Sequence, residues 1–130
     1  MELTREHVRA WVDGYERAWR TAGTEQLREL FAGNAVYRMS PYEEPKTGLA
    51  AIEDLWEAER EGPDEVFQMT SETVAVEGST AVVKVEVHYG EPVKREFRDL
   101  WLIEFDGDGR CASFEEWPFY PGRPYSPGRA

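Results

Sequence analysis

Residues 67–118 read FQMTSETVAVEGSTAVVKVEVHYGEPVKREFRDLWLIEFDGDGRCASFEEWP, and their pattern decides the fold. Four β-rich runs stand out: Phe67 to Glu77, Thr80 to Tyr89, Lys94 to Asp106 and Arg110 to Pro118. Between them lie Glu77-Gly78-Ser79, Gly90-Glu91-Pro92 and Gly107-Asp108-Gly109, the punctuation of tight hairpins. The spacing predicts an antiparallel meander.

Upstream the period changes to that of helices. Val8, Trp11, Val12, Tyr15, Ala18, Trp19 and Ala22 recur at three- and four-residue spacing, one apolar stripe that Gly23 ends. Thr24 is placed to cap a second, shorter helix, Thr24 to Phe31, which buries Leu27, Leu30 and Phe31 before Gly33 and Asn34 break it. Ala35 to Met39 reads as a short strand. The two prolines in residues 40–45 make that segment an irregular loop. Thr47 offers a cap for a third helix with Leu49, Ile52, Leu55 and Trp56 on its apolar face, stopped at Gly62-Pro63. Helices followed by a meander give an α+β class, with three N-terminal helices packed on one face of a strongly curved, mostly antiparallel sheet. Residues 120–130 hold three prolines and two glycines and cannot continue the sheet, so one domain is expected over 1–119 and a tail over 120–130.

Composition narrows the partners. The 130 residues suffice for one core, and five Trp, six Tyr and six Phe supply it generously. A formal net charge of −11 repels nucleic acid and anionic membrane surfaces alike. The charged, amphipathic start lacks the apolar stretch of a secretory signal, so a cytoplasmic address is expected. Cys111 is the only cysteine, which leaves no internal disulfide. His7 and His88 lie far apart, giving no dense metal-ligand cluster, and no phosphate-binding glycine motif is present. No cofactor is expected. Asp106-Gly-Asp-Gly109 lacks the closing Glu of a calcium loop and reads as a hairpin turn.

Alternation along residues 94–105 places Phe97, Asp99, Trp101, Ile103 and Phe105 on the more apolar face. Asp99 thus falls in an aromatic row, where burial disfavours its charge and raises its pKa. It is the strongest acid–base candidate, although an ion pair with Arg95, Arg98 or a helix arginine is an equal alternative. Along the last strand, Phe114 and Glu116 share one face and Glu115 and Trp117 the other. Periodicity does not choose between them.

Three stretches, Tyr15-Glu-Arg-Ala-Trp-Arg-Thr-Ala-Gly with Leu27-Arg-Glu-Leu-Phe31, Pro45-Lys-Thr-Gly-Leu-Ala-Ala-Ile52, and Phe105-Asp-Gly-Asp-Gly-Arg110, resemble the nuclear-transport-factor-2-like superfamily, in particular its SnoaL-like and ketosteroid-isomerase-like branches. The resemblance spans about residues 8–118. It implies a cone-shaped α+β barrel enclosing a hydrophobic pocket, in a homodimer paired through the sheet. It also implies that Phe114 and Glu116 face inward, so that Asp99 and Glu116 form a carboxyl pair on neighbouring strands. Tyr15 falls where the isomerase branch carries its oxyanion-stabilising tyrosine; core packing is the ordinary alternative. Met39 and Trp101 fall where that branch carries its acidic residues, which argues against ordinary ketosteroid isomerisation. The epoxide-hydrolase branch's arginine is replaced by Phe97.

Trp19, Tyr37, Met39, Trp56, Phe67, Met69, Trp101 and Phe114 can line a pocket for a small apolar or polycyclic molecule, or fill the interior solid. Tyr15 or Tyr42 can donate to a substrate oxygen. The expected function is that of a cofactor-independent enzyme doing acid–base chemistry with Asp99, Glu116 and Tyr15, as an isomerase, cyclase or dehydratase. The alternatives are a non-catalytic binder of hydrophobic ligands and a dimeric interaction module.

Overall fold

The computed structural model describes residues 2–123. Its elements in chain order are helix α1 (Arg5–Trp19), helix α2 (Leu27–Leu30), strands β1 (Phe31–Arg38) and β2 (Lys46–Thr47), helix α3 (Leu49–Glu59), and strands β3 (Phe67–Glu77), β4 (Thr80–Tyr89), β5 (Arg95–Phe105) and β6 (Cys111–Phe119). The strands form one sheet in the order β2-β1-β6-β5-β4-β3. The meander is as the hairpin punctuation predicts. The pairing of β1 with β6 is parallel, however, so the sheet is mixed, and its curve is left unclosed between β2 and β3 rather than sealed as a barrel.

Helix α1 begins where Thr4 accepts a hydrogen bond from the His7 backbone N–H, which satisfies one of the orphan donors of the first turn. It ends at Trp19, before the expected Gly23. The Arg60 guanidinium donates to the carbonyls of Ala18, Thr21 and Gly23 at 3.1, 2.7 and 3.0 Å, placing positive charge at the helix C-terminus. His7 Nε2 lies 2.8 Å from the Gly109 carbonyl at one end of α1, and Arg20 donates to the Phe67 carbonyl at 2.9 Å at the other. The helix therefore runs from the β5–β6 turn to the start of β3.

The second helix is a single turn, and Phe31 opens a strand instead of closing a helix. Phe31 pairs with Cys111 and Val36 with Ser113, with a register shift between them that absorbs Gly33 and Asn34. Strand pairing thus overrides the helical spacing of Leu27, Leu30 and Phe31. Thr47 likewise pairs in β2, and Gly48 takes the N-cap position of α3 with a φ of 93°, a turn that a side chain would strain. Helix α3 stops at Glu59, short of Gly62-Pro63.

Strand β1 pairs with β6 only as far as Arg38↔Glu115. Beyond it β6 is a local edge, which explains why Pro118 is tolerated there and why the sheet opens at that end. The inward face carries Val83, Val85, Trp101, Ile103, Phe105 and Phe114, all buried, with the last strands' rings Trp101, Phe105 and Phe114 against Trp11 of α1. Among the described residues no helix is long and apolar enough to cross a membrane. Of the expected tail, Tyr120 and Arg123 close a small turn and residues 124–130 lie outside the described residues.

Candidate active site

Between the open end of the sheet, α1 and α3 lies a cavity of about 180 Å³. Strand β5 sends Phe97, Asp99 and Trp101 into it, on the face that alternation predicts. Strand β6 sends Glu116 and Pro118 inward. In the ladder Trp101 stands opposite Glu116 and Asp99 opposite Pro118, so Asp99 and Glu116 are diagonal neighbours, within reach of the longer glutamate side chain. The face that periodicity left undecided is thereby fixed.

Among the described residues Asp99 is the one charged residue that is buried, 7% exposed, and its Oδ1 has no hydrogen-bond partner. No arginine neutralises it among the described residues. Arg98 points to the outer face, 3.1 Å from Glu86, and Arg95 lies over the Tyr89 ring at 4.8 Å. Burial raises the Asp99 pKa, while the neighbouring Glu116 and Trp101 side chains pull it part of the way back. Glu116 is pushed further, well above the carboxylate range, by burial and then by the Asp99 carboxylate beside it. Both shifts disfavour ionising the two carboxyls together, so they titrate as one coupled pair. Asp99 is raised as its place in the aromatic row predicts, and Glu116 is raised with it.

Tyr15 and Tyr37 approach each other with hydroxyls 3.4 Å apart and both line the cavity. Burial, the largest influence on each, raises both pKa values well above 10, so both phenols stay protonated and able to donate. Trp19, Met39, Trp56, Phe67 and Met69 complete the predicted lining. Two predicted residues do not join it. Tyr42 is 99% exposed, because its backbone N–H donates to Ser40 Oγ in a tight turn that projects the ring outward. Phe114 is fully buried but lies beneath the lining, stacked on Tyr37 at 4.8 Å.

The cavity also includes Leu55, Glu59, Glu65, Val87, Tyr89 and Arg95, which the sequence reading did not single out. Tyr89 continues the inward alternation Val83-Val85-Val87, a usable signal. Glu65 sits in a loop without periodicity, held by the Trp19 indole N–H at 2.9 Å, and nothing local marks it. The Trp56 and Trp101 indole N–H groups are buried without partners. No group of three His, Cys, Asp or Glu side chains among the described residues is close enough to hold a metal ion. Burial raises the Cys111 thiol pKa, which leaves it a small apolar core group.

The sequence profile of the SnoaL-like domain matches residues 8–114. No curated protein matches the chain. Among solved structures, a candidate ketosteroid isomerase from Kribbella flavida is similar at 22% identity, over 96% of this chain and 84% of that one, with a TM-score of 0.65. A protein of unknown function with a cystatin-like fold from Methylobium petroleophilum aligns over 100% of this chain and 85% of its own at 19% identity and a TM-score of 0.71. A candidate SnoaL-like polyketide cyclase from Jannaschia shares 16% identity over 83% of this chain and 84% of that one, with a TM-score of 0.64. At such identities these likenesses establish the fold alone.

Proposed function

This chain belongs to the SnoaL-like domain family, and from that premise we propose that its cavity performs cofactor-independent acid–base chemistry on a small apolar molecule, of the isomerase, cyclase or dehydratase kind. The observation that carries this reading is the Asp99–Glu116 carboxyl pair on neighbouring strands, opening into an aromatic cavity, which in this reading shares one proton with Asp99 as the ionised member. The descriptions of the Kribbella and Jannaschia proteins as candidate isomerase and cyclase point to chemistry of the same class.

Asp99 takes a proton from a carbon beside a carbonyl group, and the electron pair moves to the carbonyl oxygen. A phenol of the Tyr15–Tyr37 pair donates a hydrogen bond to that oxygen, with the pair's high pKa keeping the proton on the tyrosine. Glu116 then delivers its proton to the substrate at a second position, and the pair exchanges roles. The surrounding rings exclude water and strengthen each of these interactions.

The test is hydrogen–deuterium exchange into cyclohexanone in heavy water, followed by NMR. The unaltered protein should accelerate exchange, and Asp99→Asn should lower the rate by about 10²–10⁴-fold while its melting temperature changes little. Exchange that survives the substitution overturns the assignment. Binding of the ketone without any exchange would instead mark the cavity as a carrier.

A further inference from the structure

The cavity differs from a general apolar pocket in size and in sign of charge. At about 180 Å³ it is close to the roughly 150 Å³ apolar cavity that holds benzene in another protein. The enclosed space therefore suits one ring, and a fused polycycle would have to protrude through the mouth. Of the acidic groups on the wall, Asp99 and Glu116 face each other across neighbouring strands and Glu59 and Glu65 stand on α3 and the loop after it, against one cation among the described residues, Arg95. The Arg95 guanidinium is drawn aside over the Tyr89 ring. An anionic guest meets acidic groups on most sides.

The carboxyl pair also has an unmet requirement. Asp99 is 93% buried, counting from its 7% exposure, and faces the cavity with an oxygen that no donor reaches. A buried carboxylate in that state is destabilising until a donor, best a charged one, arrives. The protein supplies no ammonium or guanidinium to it among the described residues. The cavity it faces is lined by the rings of Tyr15, Trp19, Tyr37, Trp56 and Trp101, whose π-faces attract a cation once water is excluded.

We propose that the guest is a small organic cation, a single-ring or similarly sized amine whose ammonium group donates to Asp99 while its hydrocarbon part lies among the rings. This rests on the proton-transfer reading above, which takes Asp99 as the ionised member of the pair.

Calorimetric titration with three guests of equal size, benzylammonium, benzyl alcohol and benzoate, separates the possibilities at neutral pH. Benzylammonium should bind at least about tenfold more tightly than benzyl alcohol, and benzoate should bind more weakly than either. The order should persist in 0.5 M salt, about where screening removes the general attraction of an acidic chain. Asp99→Asn should bring benzylammonium and benzyl alcohol to within about threefold of each other. Equal binding of the three by the unaltered protein, benzoate binding best, or an ammonium preference that survives Asp99→Asn overturns the proposal. Ketone exchange without ammonium preference sinks this inference and leaves proton transfer standing; ammonium preference without exchange does the reverse.

Discussion

Strands β5 and β6 present the same alternation to both ends of the interior, yet the two ends are built differently. At the closed end Ile103, Phe105, Cys111 and Phe114 meet Val8, Trp11 and Phe31, nearly all of them wholly buried. The one polar group there, the Trp11 indole N–H, donates to the Leu30 carbonyl at 2.8 Å. At the open end Trp56 and Trp101 keep their indole N–H groups unpartnered, Asp99 keeps an unpartnered oxygen, and a cavity remains. Helix α1 makes the difference. Its first turns fill the closed end, and it stops at Trp19 just where the rings give way to space. Polar groups left unsatisfied at one end only, in a chain able to satisfy them at the other, mark where packing yields to a site.

The largest effect that probes this contrast is a truncation made at each end. Phe114→Ala should cost about 3–5 kcal/mol, because the packed wall around it cannot collapse to fill the void. Phe97→Ala, at a half-buried position that already borders open space, should cost less than about 2 kcal/mol. Chemical denaturation reads both, and equal losses would mean that the open end is packed as tightly as the closed one.

A finer probe removes only an indole N–H and part of a ring. Trp11→Phe leaves the Leu30 carbonyl buried without its donor, whereas Trp56→Phe removes a donor that has no partner. The first variant should therefore lose about 1–3 kcal/mol more than the second. An opposite ranking would show that the Trp56 N–H is satisfied in solution.

The closed end was far more legible in the sequence than the open one. β3 and β4 lie where alternation and the glycine turns place them, and β5 faces inward as its apolar row requires, because hairpins are local and their register follows from short-range signals. Phe31 was misplaced because its burial satisfies a helix and a strand equally, and the strand that claims it comes from 80 residues downstream, Cys111. The facing of Glu116 was hidden for a related reason. Both faces of β6 carry apolar residues, Phe114 inward and Trp117 with Phe119 outward, so no amphipathic signal remained. Tyr42 looked like a pocket residue by type, but its neighbouring prolines and serine make a turn that no periodicity describes. The mouth acids Glu59 and Glu65 needed the tertiary placement of α3 and its following loop before they could be seen.

The smallest effect concerns which carboxyl holds the shared proton. Unfolded, Glu116 has an ordinary pKa of about 4.3; folded, burial and Asp99 raise it well above that range. The native state then binds a proton that the unfolded chain has released. Its contribution to stability is present in full below the ordinary value and is lost as pH rises through the elevated one. Glu116→Gln carries no such proton, and its amide N–H₂ offers Asp99 a donor in place of the protonated acid. The variant should melt within about a degree of the parent near pH 4 and a few degrees above it in alkaline buffer. Phe114→Ala, which leaves the carboxyls alone, should instead melt below the parent by an offset that hardly changes with pH. Glu116→Gln curves that track the parent at every pH would place the glutamate carboxyl in water, and the proton would then have to be assigned to Asp99.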